Sequence, residues 1–161
     1  MSSPKSKGSS SPNRKLLEEI NDSNAWFHAK KTRPIWARIA RRRQTVKSLE
    51  GDVEAKRGDY VCRGHANEKW VQSEESVKKK YRETDKVDSR GWRCYQPRPD
   101  AAGVMAAPVP RAFSVVATWG KLRGKKNDLL VKHHDDRAEK FPEDVWIVDR
   151  GLFEATYKSV E

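Results

Sequence analysis

Cys62-x-x-His65, with Asp59 three residues before the cysteine, brings a nucleophile, a base and a carboxylate close together in sequence. Thiolate attack needs an imidazole within hydrogen-bond reach of the sulfur and a third group to orient the ring. Alternate residues of a strand face opposite sides, so residues three apart do not simply converge. No catalytic residue is assigned. His133-His134-Asp135-Asp136 places four metal-ligand types in one loop. A structural zinc site needs paired ligand clusters at suitable spacing, and neither stretch supplies them. The expectation is a polar surface loop, no metal and no cofactor. GxSxG, HExxH, Walker A and GxGxxG motifs are absent. The reading therefore leans away from an enzyme.

The remaining chemistry is charge. The formal net charge is +11. Residues 1–44 hold eleven Lys/Arg against three Asp/Glu, which places the basic excess in the N-terminal segment. Such a segment favours acidic partners. Lys30, Lys31, Arg33, Trp36, Arg38, Arg41, Arg42 and Arg43 interleave cations with an aromatic ring, and Lys121, Arg123, Lys125 and Lys126 add a basic turn. Arginine and lysine would contact phosphates, and an exposed Trp36 would stack a base. No named RNA- or DNA-binding motif accompanies them. Arg42-Arg43-Gln44-Thr45 sets two basic residues before a hydroxyl, as basophilic kinases prefer, and a phosphate there would sit beside three arginines. Ser3-Pro4 and Ser11-Pro12 are candidate proline-directed sites.

These groups must be positioned by a thin core. The chain has 161 residues, 35% hydrophobic and 35% charged, which leaves room for one ordinary domain or two very small ones. Two cysteines make no disulfide framework, and a reducing compartment fits. MSSPKSKGSSSPNRK lacks the apolar run of a secretory leader, and no stretch approaches the ~20 apolar residues of a membrane span. The expectation is an intracellular, cytoplasmic protein, with a nuclear location as the alternative.

Residues 1–13 read as a disordered basic tail. Leu16, Leu17 and Ile20 share a helical face, and Trp26-Phe27 follow as an aromatic anchor, so 14–31 is a short helix plus anchor. Ile35, Ala37 and Ile39 alternate as a strand; YVC and KWVQ are two more, separated by turns at 57–59 and 64–67. Ser73 caps a helix with Glu74 and Glu75 in its first turn. The first module thus spans 32–82, a linker or strand segment 83–106, and a second module 107–161. WRCYQ reads as a strand that could pair with either half.

Residues 45–61, TVKSLEGDVEAKRGDYV, lie over 114–130, SVVATWGKLRGKKNDLL, without a gap. Gly51 meets Gly120, Asp59 meets Asp128, and Gly58 meets Asn127. Gly and Asn are the residues that best tolerate positive φ, so both copies predict a left-handed residue before the aspartate. After a longer loop in the second copy, Trp70 meets Trp146, Ser73 meets Asp149, Val77 meets Phe153 and Tyr81 meets Tyr157. An internal repeat explains matches that fall on turn, cap and apolar positions.

The run SLEGDVEAKRGDYVCRG…KWVQSEESVKKKY resembles the small domain named for its PGDYG-like motif, which occurs in phage, bacterial and eukaryotic chains. Leu49-Glu50-Gly51, Gly58-Asp59-Tyr60, Glu68-Lys69-Trp70 and Tyr81 stand where that family has its motif residues. Arg57 replaces the family proline and Val71 the proline after the Trp. The resemblance covers 45–81 closely and 107–158 through Asp128, Trp146 and the ending GLFEATY. It implies a compact α+β module and no activity. Gly51, Gly58, Asp59, Tyr60, Trp70, Tyr81, Gly120, Asp128, Trp146, Phe153 and Tyr157 are accordingly structural. The fold expectation is α+β: two related small β-rich modules, each closed by a helix. The functional expectation is a non-enzymatic binding or adaptor module. It would act through a protein or small-ligand surface formed by the paired modules. The alternative is a nucleic-acid-associated protein of SH3-like or Tudor-like build using the basic 30–43 stretch.

Overall fold

Short apolar runs separated by turns give short strands, and the computed structural model, which describes residues 11–160, is mostly β-sheet with three α-helices. The expected tail lies almost wholly outside the described residues. The chain divides into a continuous unit, residues 31–101, and a split unit made of the segments before and after it. No described helix is long and apolar enough to cross a membrane.

In the continuous unit, β2 (Ile35–Ile39), β5 (Tyr60–Arg63), β6 (Lys69–Gln72), β7 (Tyr81–Val87) and β8 (Arg93–Pro97) form one antiparallel sheet ordered β6-β5-β2-β8-β7. The hairpin β3 (Gln44–Ser48) and β4 (Gly51–Ala55) is a separate two-stranded sheet. Ile35, Ala37, Tyr60, Cys62, Val77, Tyr81 and Tyr95 make the core, with Trp70 packed against it. The helix α2 (Glu74–Lys80) closes it. Ser73 caps α2 by accepting the Ser76 N–H at 3.1 Å, and three lysines in the last turn complement the helix dipole. The segment expected as a linker thus begins with β7 and β8, and the WRCYQ strand pairs with β2 of the first half.

The split unit opens with α1 (Arg14–Ser23), which buries Leu16, Leu17 and Ile20. Asn13 precedes α1 without capping it, because its side chain bridges the backbone of Val116 instead, donating at 3.0 Å and accepting at 2.8 Å. Asn24 ends the helix at φ 55°. β1 (Phe27–Lys31) follows, then, after the continuous unit, β9 (Val104–Pro108), the hairpin β10 (Phe113–Ala117) and β11 (Gly120–Gly124), β12 (Leu129–His133) and β13 (Val145–Val148). A second helix, α3 (Arg150–Thr156), and β14 (Tyr157–Ser159) complete it. The sheet order is β13-β12-β9-β1-β14. Ala29, Val104, Ala106, Leu129, Val131 and Phe153 form its core, with Phe27, Trp146, Val148 and Tyr157 packed against it. The residues expected as an aromatic anchor are therefore a strand. Phe27 pairs with Ala106 and Ala29 with Val104, so β1 lies between β9 and β14.

Each sheet holds the same aspartate turn. The Lys56 N–H donates to Asp59 Oδ2 at 2.7 Å, the Asp59 N–H to Lys56 O at 3.0 Å, and the Gly58 N–H to Ala40 O at 2.9 Å. In the split unit the Lys125 N–H donates to Asp128 Oδ2 at 2.9 Å, Asp128 N–H to Lys125 O at 3.0 Å, and Asn127 N–H to Val109 O at 2.7 Å. Gly58 has φ 94° and Asn127 φ 73°, the left-handed residue before each aspartate.

Candidate nucleic-acid interface

Strand alternation gives β2 two faces. Ile35 and Ala37 enter the core, while Trp36 and Arg38 stand on the opposite face. Cross-strand register puts Arg63 of β5 beside Trp36. A ladder of cations and indoles results. The Arg63 guanidinium lies 5.5 Å from the Trp36 ring and 4.9 Å from the Trp92 ring, Arg38 lies 4.3 Å from Trp92, and the Lys86 ammonium 5.7 Å from Trp36. Trp92 is buried by this sandwich, whereas Trp36 stays half-exposed. Arg63 also pairs with Asp88 at 3.1 Å. Burial favours the neutral acid at Asp88, but backbone N–H groups of Trp92 and Arg90 and the Arg63 guanidinium outweigh it and hold the carboxyl below its usual range.

Beyond β2 the chain bends through Arg41, Arg42 and Arg43, all exposed. Among the described residues Arg38, Arg41, Arg42 and Arg43 make no ion pair. The acidic partners go elsewhere, Glu74 to Lys78 and Glu83 to Arg93. The continuous unit holds nineteen Lys/Arg against eleven Asp/Glu, a formal +8, and the split unit fifteen against twelve, a formal +3. The basic excess read as belonging to an N-terminal segment therefore sits in a folded sheet and its loops.

The other basic candidates are dispersed. Lys30 is on β1 and Lys121 and Arg123 are on β11, all in the split unit; Lys125 and Lys126 are in its aspartate turn, and the Lys125 ammonium is bound to Asp149 at 3.1 Å. Arg33 is exposed between β1 and β2. Lys31 turns toward Trp70, its ammonium 4.7 Å from the ring centre, where burial lowers its pKa to about 8 against the opposing pull of Glu68. It is a packed lysine rather than a surface contact. Sequence reasoning missed Arg63, Lys86 and Trp92. Arg63 and Lys86 reach Trp36, and Trp92 reaches Arg38 and Arg63, through pairing of strands distant in the chain, which local patterning does not reveal.

The nucleophile and metal groups do not assemble. The Cys62 sulfur points into the core and burial pushes its thiol up to about 12, while His65 is exposed in the following turn. Cys62 and Cys94 are both free and buried. His133 Nε2 meets Asp144 Oδ2 at 2.6 Å, and His134 stacks on His28 at 3.9 Å. Burial, then His28 and Arg137, lower the His134 pKa. No group of three metal-ligating side chains converges among the described residues. No family model, curated protein or solved structure matches the chain.

Proposed function

We propose that the chain is a non-enzymatic binding protein built from two copies of one PGDYG-like module, and that the continuous copy binds nucleic acid through Arg38 of β2 and the arginine loop 41–43 that follows it. The duplication is supported position by position. Ile35, Ala37, Tyr60, Cys62, Val77, Tyr81 and Tyr95 pack the core of one unit as Val104, Ala106, Leu129, Val131, Phe153, Tyr157 and Ala29 pack that of the other. Matching orders, β6-β5-β2-β8-β7 and β13-β12-β9-β1-β14, place β1 in the second copy where β8 stands in the first. The second copy is completed by a strand from before the first.

The observation that carries the ligand reading is the run Arg38, Arg41, Arg42 and Arg43, which makes no ion pair among the described residues and continues the strand that holds the half-buried Trp36. Four guanidinium groups that make no ion pair among the described residues gain most by meeting phosphates, and counterion release makes that gain salt-dependent. Titrating the full chain with a labelled single-stranded oligonucleotide across a salt series tests this. Binding is expected to weaken linearly in log salt, and R41A/R42A/R43A to flatten the slope by about 2. The charge-matched K121A/R123A/K126A chain is expected to leave it nearly unchanged. Equal losses in the two variants would show only general basicity and would remove the assignment to the arginine loop 41–43. A protein-partner reading has the exposed Ile39, Leu49 and Val87 in its favour. A nuclease-resistant protein retained by the arginine-free variant would select it.

A further inference from the structure

Thr45 lies two residues past the arginine run, on β3. Alternation buries its neighbour Val46 and exposes Thr45. The Thr45 hydroxyl donates to Glu54 Oε2 at 2.5 Å across the hairpin, where the two residues are register partners. Among the described residues β3 is hydrogen-bonded to β4 and to no other strand. Three features thus coincide: an exposed residue bearing a hydroxyl, an extended backbone, and Arg42 and Arg43 three and two residues upstream with no ion pair among the described residues.

We propose that Thr45 is a phosphorylation site for an arginine-directed protein kinase and that its phosphate switches off the arginine loop 41–43; the switching half rests on the nucleic-acid reading above. In the transfer, Thr45 Oγ1 forms a P–O bond to the γ-phosphorus of a nucleoside triphosphate as the β,γ-bridging P–O bond breaks. The hydroxyl proton goes to the kinase's carboxylate base and nucleoside diphosphate leaves. The product places about −2 charge opposite Glu54, which it repels, and beside Arg41–Arg43, which it attracts. The phosphate thereby competes with external phosphates for the same guanidinium groups.

The split unit supplies the comparison. Ser114 on β10 occupies the position of Thr45 and is also exposed, with Arg111 three residues upstream. Arg111, however, is held by Glu19 at 2.5 Å and by the Ala112 carbonyl, and no second arginine follows it. The cross-strand partner there is Arg123 rather than a carboxylate. The same hairpin position is thus presented to a kinase in one unit and not in the other.

The experiment treats the full chain with Mg-ATP and an arginine-directed Ser/Thr kinase and locates phosphate by mass spectrometry. A peptide of residues 38–50 and the T45A, S114A and R42A/R43A chains run alongside. Phosphate is expected on Thr45, unaffected by S114A, and slowed at least about tenfold in R42A/R43A by the loss of charge-assisted contacts. Modification of the peptide but not the chain would mean the hairpin withholds the hydroxyl, and modification of neither, or full incorporation into T45A, would equally overturn the site. The phosphorylated chain is then expected to bind the oligonucleotide about tenfold more weakly at fixed salt. Unchanged affinity would overturn the switch and leave the interface standing. No binding by either form would remove the interface itself, and the switch with it, while the mass data still decide the site.

Discussion

Asp59 and Asp128 make the same turn in two surroundings. Each accepts the N–H three residues earlier and returns its own N–H to that residue's carbonyl. Asp59 keeps part of its surface in water, whereas Asp128 is 3% exposed and accepts a further bond, from the Arg150 N–H to Oδ1 at 3.1 Å. That N–H belongs to the first residue of α3, so in the split unit the aspartate joins a hairpin end to a helix start. In the continuous unit the same side chain only closes its own loop. A conserved turn geometry can thus hold different amounts of structure, depending on what else its second carboxylate oxygen meets.

The largest expected effect separates these two roles. Asp128→Ala leaves two part-buried N–H groups without their acceptor and should cost about 2–3 kcal/mol, against about 1 kcal/mol for Asp59→Ala, where water reaches the single freed N–H. Urea unfolding followed by hydrogen exchange, read on peptides from 104–133 and from 35–63, assigns each loss to its unit. Asp128→Asn, which keeps an acceptor, should recover part of the loss. Equal costs at the two positions would mean that the Arg150 bond adds nothing.

Much of this contrast was legible in the sequence, because turn chemistry is local. The match of Gly58 to Asn127 needs only the rule that few residues tolerate positive φ. Ser73 and Asp149 are readable as caps because a helix start needs an acceptor side chain. The helix around Leu16, Leu17 and Ile20 followed from spacing alone. Strand β1 was not legible. FHAKK shows little apolar alternation, and its partners β9 and β14 are some 75 or more residues later in the chain. The Arg63–Trp36–Trp92 ladder was hidden for the same reason, since it joins β5, β2 and the turn before β8. The unpaired state of Arg41–Arg43 could not be read either, because an abundance of acidic residues in the sequence says nothing about which arginines they reach.

The left-handed residues sharpen the comparison at a smaller scale. A Cβ on Gly58 would meet no atom within 4 Å, so Gly58→Ala has no steric cost beyond its backbone at φ 94°. The loss should be about 1–2 kcal/mol, and Asn, the residue used in the other turn, should recover part of it. Asn127→Gly should change stability by less than about 0.5 kcal/mol, since both residues accept φ 73°. A large loss in Asn127→Gly would reveal a side-chain role for Asn127 that the turn does not require.

The smallest effect distinguishes the caps. Ser73 and Asp149 perform one task, accepting the N–H three residues on at 3.1 Å each, but only Asp149 titrates. Burial opposes its charge, yet the Leu152 N–H and the Lys125 ammonium prevail and hold its pKa below the ordinary aspartate value. A depressed folded pKa stabilises the native state fully above the unfolded value of about 4, and that contribution is lost as pH falls through the folded value. Below about pH 4 the start of α3 should therefore loosen while that of α2 holds, by less than about 1 kcal/mol. Amide exchange by NMR, corrected for intrinsic rates, should show protection falling at Leu152 and not at Ser76. Asp149→Ser should abolish the difference by giving both helices an uncharged cap. If Ser76 lost protection first, the acid response would originate outside the caps, and the charge on Asp149 would not be what distinguishes the two helix starts.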